Sequence, residues 1–546
     1  MSSIALLIGA IVLFIGAYAT YGSFIAKKWG IDPTRETPAH TLRDDVDYCP
    51  ADSKVILGHH FSSIAGAGPI TGPIQAAVFG WVPVILWVFI GSIFIGGIHD
   101  WGALYASIRH SGKSIGEVVR VNIGETGKKV FDIFSWLALV LVVAAFTDIC
   151  AGTFAYDPAA PENLTGAMAG TASILFIFLA MAFGFMVYRR NTNLFVSSVV
   201  GVVLLFFCIW LGFTFPVLKL SKTAWLVVLL IYITVASVAP VWILLQPRDY
   251  LCSFLLYSMI IGAVVGIFLY HPTLIMPSYA GFKIGEGAAA QTLFPMLFIT
   301  VACGAVSGFH SLVGSGTTSK QLDSEKDTKL VGYGAMLLEG VVAVIAVISV
   351  AYLADGGVGT PAQKFAAGLA TFMGSFGLPV ALGKVFVTLT FSAFALTSLD
   401  TATRIARYVF QELVEKEEPA KGQKPTGLAN MYVATGITVA AAVALLAYGY
   451  ANIWPIFGAS NQLLAGLALL SVTAWFAKTK KIIWPTLIPM FFMFSVTLTA
   501  LVILIRNFFS SGKILLGIIA VILFSLALVL IWQGYNALVL KKKKAE

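Results

Sequence analysis

The chain has 546 residues, 58% of them apolar and 11% charged. Soluble domains carry about 25% charged residues, so an ordinary water-soluble domain is excluded. At about 20 apolar residues per crossing of a hydrocarbon layer, the composition predicts an all-α polytopic membrane protein. The formal charge of +9, from 35 Lys and Arg against 26 Asp and Glu, is scattered through short hydrophilic gaps. No basic surface is gathered, and no nucleic-acid partner is expected. Cys49, Cys150, Cys208, Cys252 and Cys303 are odd in number and lack a CxxC pair, so they read as small packing residues rather than disulfides or a zinc site.

In chain order, the run from Ile4 to Phe24 has no positive segment ahead of it and ends at Lys27-Lys28, which predicts a retained helix rather than a signal peptide. Spans are predicted near 3–27, 57–80, 83–107, 130–151, 167–188, 194–218, 223–245, 249–270, 291–313, 330–354, 378–400, 428–451, 456–477, 483–506 and 514–539. The stretch 362–376 is too short to cross and is expected as a surface or re-entrant helix on the outer side. Alternate gaps divide the 35 basic residues 28 to 7. The positive-inside rule then puts the N-terminus outside and the C-terminus in the cytoplasm. No gap except 28–56 is long enough for a separate folded unit, so 1–546 reads as one membrane domain.

Helix 57–80 crowds Gly66, Gly68, Pro69, Gly72 and Pro73 near its middle. Proline removes an amide donor and clashes with the preceding turn, and irregular backbone inside a membrane persists only when it is buried in protein or lines a wet cavity. Five spans later, helix 223–245 carries Ser237, Pro240 and Trp242 at comparable depth. Because five is odd, that helix enters from the other side. The expectation is two inverted five-helix halves, 57–218 and 223–400, with 1–56 as an extra helix and loop and 428–540 as additional helices. Paired interruptions in corresponding halves point to a transporter's midplane site. Ala65, Gly66, Gly68, Pro69, Thr71, Ser237, Pro240 and Trp242 are the expected substrate contacts, with Trp81 or Phe309 as further walls.

Titratable groups inside spans are costly and mark function. His59 and His60 open the broken helix, His99 and Asp100 lie toward the inner end of the next, His310 near the inner end of 291–313, and Glu339 about ten residues into 330–354. Asp148, Asp249 and Asp400 lie near span ends, where water is expected to reach them. The histidines suit proton handling, a metal site or helix-helix hydrogen bonding. Neither adjacent pair shares a helix face, so a metal would need three helices, and no metal is expected. Ser307 and Ser311, four apart on one face, are candidates for Na⁺ beside the proton-bearing His310. The expected ion-coupling set is His310, Ser307, Ser311, Glu339, His59, His60, His99 and Asp100. No GxSxG, HExxH or Walker A pattern occurs, so an enzyme is not expected. A channel or nutrient sensor is less favoured than a carrier.

The segments GHHFSSIAGAGPITGPIQAAVFGW (58–81), GGIHDWGALYASIRHSGKSIGE (96–117), WILLQPRDYL (242–251), SGFHSLVGSGTTSKQL (307–322), TSLDTATRIARYVFQE (397–412) and WPIFGASNQLLAGLAL (454–469) resemble the carbon starvation protein A family, CstA. The resemblance runs in order over nearly the whole chain. It implies a bacterial inner-membrane carrier of the carbon-starvation stress response that imports peptides, with some relatives taking pyruvate. It also implies the amino acid-polyamine-organocation (LeuT-like) fold, in which each of two inverted five-helix repeats begins with an unwound helix. By position, the unwound segments would be Ala65 to Pro73 and Ala236 to Trp242, and the cation-binding counterpart Ser307 to Ser311. No cofactor beyond a coupling proton or Na⁺ is implied.

Overall fold

The computed structural model describes residues 2–44, 48–190, 192–240, 243–285, 291–414 and 426–540. Helix α1, Ser3–Trp29, ends at Gly30 in the left-handed conformation, with Lys27 and Lys28 in its last turn facing the negative end of the helix dipole. The first interrupted helix follows as α2, Ser53–Ile64, and α3, Gly68–Ala76. Next come α4, Trp81–Arg109, a short amphipathic α5, Ile115–Asn122, and α6, Glu125–Phe154. Helices α7, Thr165–Val187, and α8, Phe195–Thr214, form a hairpin, followed by α9, Lys222–Val238, and α10, Leu245–Tyr270.

A two-residue antiparallel ribbon, Lys283–Ile284 against Gln291–Thr292, precedes α11, Leu293–Thr300, and α12, Phe309–Gly316. Then come α13, Lys329–Ala351, and α14, Pro361–Gly374, which opens on a Thr360/Gln363 capping box. The remaining helices are α15, Val380–Val414, α16, Met431–Leu446, α17, Tyr450–Lys478, α18, Trp484–Ser510, and α19, Ile514–Leu538. Eleven helices among the described residues are long and apolar enough to cross a bilayer. Most sequence-predicted spans fall within a few residues of these elements. At 14 residues, about 21 Å long, α14 is too short to cross and packs on α10, α13 and α15.

The rigid centre is α6 laid along α15, with α9 and α16 each packed on both. Around it, α10 packs on α2, α14 and α15, while α17 packs on α11, α5 and α6. Helix α13 packs on α3, and α4 packs on α12. The chain is clamped by Arg109, whose Nε and Nη2 each donate to the buried Glu325 carboxylate at 2.7 Å. No disulfide forms among the described cysteines, and Asp148, Asp249 and Asp400 are buried rather than wetted.

Two expectations about broken helices need correction. The first break is confined to Ala65–Ala67, and Gly68 to Pro73 are helical. Pro69 sits in the first turn of α3, where no amide donor is needed. The second broken helix is 293–316, unwound over 301–308, not 223–245. At the expected position α9 simply stops. Ala239, ahead of Pro240, is extended at φ −68°, ψ 149°, as the steric demand of a following proline requires.

The two true breaks lie against each other. A Cβ on Gly72 would stand 2.6 Å from the Thr300 carbonyl oxygen and 3.0 Å from Val301 Cα. Gly72→Val is therefore expected to destabilise the protein by about 1–3 kcal/mol through overpacking, read as a lower Tm in detergent. Gly9→Val, where a Cβ meets nothing within 4 Å, is the control expected to leave Tm unchanged.

Candidate functional site

Residues 301–308 leave the helix without a proline. Gly304 has φ +82°, a conformation that side chains other than glycine's strain to adopt. The freed main-chain groups are taken up by other helices. Glu339 of α13 accepts from the Gly304 amide at 3.0 Å, and Ser92 of α4 donates to the Gly304 carbonyl at 2.8 Å. From α17, Asn461 Nδ2 donates to the Ala302 carbonyl at 2.9 Å, and its Oδ1 accepts from the Phe309 amide at 2.9 Å. Gln462 Nε2 donates to the carbonyls of Phe298 at 2.7 Å and Val301 at 3.0 Å.

The first break faces this segment. Gly66 lies beside Ser398 of α15, Gly68 beside Cys303, and Pro69 beside Gly304. Ser398 Oγ donates to the Ser63 carbonyl at 3.3 Å. Ile64, Gly66, Phe146, Cys303, Phe309, Ser398 and Asn461 are among the residues enclosing a cavity of ≈ 10 Å³, room for about one water. The site is closed. One turn into α3, the Thr71 hydroxyl is buried and has no partner.

Four of the expected coupling residues converge beside the second break. Asp100 accepts from His99 Nδ1 at 2.7 Å through one oxygen and meets His310 Nδ1 at 2.8 Å through the other. With Nδ1 engaged, His310 turns Nε2 toward Glu339 Oε2 at 3.7 Å, and both atoms lack a hydrogen-bond partner. All four side chains are buried. His60, on the neighbouring face of α2, bonds Thr318 Oγ1 at 2.8 Å. Ser307 and Ser311 are engaged as well, Ser307 with Asn461 at 3.1 Å and Ser311 donating to the Gly308 carbonyl at 2.7 Å. Cys303, His310 and Glu339 each offer a ligand atom within 4.8 Å of the others. Asn461 Nδ2 lies 3.9 Å from the Cys303 sulfur.

Other expected contacts lie elsewhere. Ser237 bonds Thr435 of α16 at 3.3 Å, and Pro240 is exposed in the α9–α10 connection. Trp242 lies outside the described residues. Trp81 opens α4 beside Pro277, away from the cavity that Phe309 helps to wall. His59 approaches Asp249 at 3.8 Å. Asp249 belongs to a second buried charge cluster with Arg248, Asp400 and Tyr232.

Sequence reasoning missed Asn461, Gln462, Ser398 and Cys303 as parts of the site. The usable signal was the Asn461-Gln462 pair, two amides side by side in the middle of an apolar helix. The Arg248–Asp400 pair had little signal, since Arg248 falls in the gap between predicted spans 223–245 and 249–270 and Asp400 at the end of 378–400.

A family model described as carbon starvation protein CstA matches residues 2–360 and 356–500. The chain is 33% identical to the peptide transporter CstA of Escherichia coli (strain K12), over 92% of this chain and 81% of that protein. It is 30% identical to the peptide transporter CstA of Bacillus subtilis (strain 168), over 97% and 96%. It is also 30% identical to the pyruvate/proton symporter BtsT of Escherichia coli (strain K12), over 92% and 81%. Among solved structures, a mutant manganese transporter of Eremococcus coleocola superposes with a TM-score of 0.53 at 10% identity, covering 91% of this chain and 99% of that one. At that identity the likeness is one of fold.

Asn461→Ala strips partners from the Ala302 carbonyl and the Phe309 amide, each buried group left unpaired costing about 1–3 kcal/mol. The expected result is faster amide hydrogen exchange confined to about 301–309 and a lower Tm. Unchanged protection there would show that the break does not depend on this side chain.

Proposed function

The chain belongs to the CstA family, and on that premise we propose that it imports short peptides across the bacterial inner membrane, driven by protons, by alternating access at the two facing breaks. The carrying observation is a charge imbalance. Asp100 and Glu339 are buried with His99, His310 and His60 nearby, and among the described residues no Lys or Arg pairs with either carboxylate. Two unmatched buried charges cost several kcal/mol each, and protons on the imidazoles are the cations at hand. A proton between His310 Nε2 and Glu339 Oε2 draws α12 to α13. Its loss leaves two bare acceptors facing each other and frees α12 to move.

The substrate site is the cavity at Ile64, Gly66, Phe146, Phe309 and Ser398, widened in the open states. The amino end of α3, at Gly68 and Pro69, attracts a carboxylate through its partial positive charge, with the Thr71 hydroxyl as a further donor. Fifteen crossings are counted from the eleven long helices, the two shorter apolar helices α9 and α16, and the two broken ones. An odd number of crossings puts the two termini on opposite sides, and the 28 to 7 division of basic residues supports an N-terminus outside and a C-terminus in the cytoplasm. The repeats run over 53–270 and 293–478, with α7–α8 inserted in the first. The packing supports that division: α10 meets α2, α14 and α15 as α17 meets α11, α5 and α6.

Pyruvate is the second reading, favoured by the 30% identity to a protein named a pyruvate/proton symporter. Counterflow of labelled dipeptide and of pyruvate in the same proteoliposomes separates the two cargoes. With an alkaline lumen, either cargo is expected to accumulate about tenfold per pH unit for each proton carried. Uptake that stops at equal concentrations would indicate a channel. His310→Gln and Glu339→Gln are expected to reduce proton-driven accumulation by about tenfold or more while the detergent Tm stays near wild type. Wild-type pH response in both variants would remove this pair from coupling.

A further inference from the structure

The adjacent imidazoles of α2 point about 100° apart, and each meets a different buried network. His60 faces Thr318 on the side of α12, whereas His59 faces Asp249 of α10. In the second network a single cation bonds both carboxylates, and Arg404 acts on Asp249 only through space. Arg248 Nη1 pairs with Asp400 and donates to the Tyr232 hydroxyl at 2.5 Å, while Nη2 reaches Asp249 at 3.3 Å. One cation thus serves two carboxylates, Asp249 and Asp400, both fully buried. Arg404 of α15 is committed to the carbonyls of Ala236 at 2.7 Å and Ala239 at 2.5 Å. Asp249 Oδ2 and His59 Nδ1, 3.8 Å apart, are both without a hydrogen-bond partner. A buried carboxylate left unmatched in this way is strongly destabilising.

We propose that His59 and Asp249 bind a second proton, carried with the substrate in addition to the one at His310 and Glu339. This rests on the proton-driven carrier reading above. The proton bridges His59 Nδ1 and Asp249 Oδ2, and no other bond changes. It supplies a second bonded cation and holds α2 to α10. The site repeats the logic of the first one: α2 and α12 are the inner halves of the two broken helices, and each carries an imidazole that meets a carboxylate on the helix beside it. Opening toward the cytoplasm separates both pairs and releases both protons inward. The His59 side chain is 16% exposed whereas Asp249 is at 0%, so His59 is the less enclosed edge of the network. The other titratable or charged groups around the pair are Arg248, Cys252 and Tyr257 of α10, Asp400 and Arg404 of α15, Tyr232 of α9 and Cys150 of α6.

The test is the coupling ratio, measured as the static-head accumulation of labelled dipeptide, or of pyruvate if counterflow selects it. Proteoliposomes are held at zero membrane potential with potassium and valinomycin. Wild-type accumulation is expected to change about a hundredfold per pH unit, the value for two protons, and His59→Gln and Asp249→Asn about tenfold, the value for one. His59 has no hydrogen bond to lose, so His59→Gln keeps the test open if Asp249→Asn, which strands Arg248, does not fold. The wild-type slope needs no variant. A wild-type slope of about tenfold, or a wild-type slope retained by His59→Gln, would overturn the second site and leave the proton-driven carrier standing. No slope at all in wild type would overturn both.

Discussion

The structure depends on eight residues of main chain, 301–308, that leave the helix in the interior and are nonetheless satisfied. In water such a segment would bond solvent; in a bilayer each unpaired group costs several kcal/mol. Here Ser92, Glu339, Asn461 and Gln462, from three different helices, replace the missing helical partners. The break is therefore a product of tertiary contacts, and any motion that draws α4, α13 or α17 away from it must re-satisfy the same groups. A segment tied in this way is not freely flexible, and the alternating access proposed above would have to exchange these partners together.

Glu339 links this backbone problem to the charge problem. One of its oxygens holds the Gly304 amide and the other faces His310 without a partner. A change in the charge state of one carboxylate thus acts on the strength of a main-chain hydrogen bond and on the approach of a half-helix together. Asp100 sets the geometry by engaging Nδ1 of His310, which leaves Nε2 as the atom that faces Glu339. The apolar packing around these groups keeps water out and raises the cost of every unmatched charge.

Much of the architecture was legible because hydrophobic length is a strong signal in a membrane chain: predicted spans and helices agree to within a few residues over most of the sequence. Gly66 to Pro73 announced the first break, since five backbone-altering residues in eight cannot be ordinary helix throughout, although the helix recovers as soon as Pro69 can occupy a first turn. The second break was hidden. Val301 to Gly308 contains no proline, and its unwinding is imposed by partners more than 30 residues away, such as Glu339, and more than 150 away, such as Asn461. Pro240 drew attention to the wrong place because a proline that ends a span and one that interrupts it look alike in sequence. The histidines and Glu339 were legible as costly groups, but their grouping with Asp100, and the exclusion of Ser237 from the site, required the fold.

The two breaks are not independent features that happen to share a depth. Gly72 approaches the Thr300 carbonyl and Gly68 approaches Cys303, so α3 lies directly on the unwound segment. His60 of α2 bonds Thr318, two residues past the end of α12. The long α6–α15 contact has no comparable interruption and stays apolar along much of its length, which makes it the fixed reference. In the proposed carrier cycle, motion belongs to the helices that end at a break, since only there can a half-helix tilt without breaking its own hydrogen-bond ladder. The ≈ 10 Å³ cavity is what remains when all four halves are seated against that reference. On that reading, opening to either side is the unseating of the two halves on that side, and the titratable pairs lie where α2 and α12 meet their neighbours.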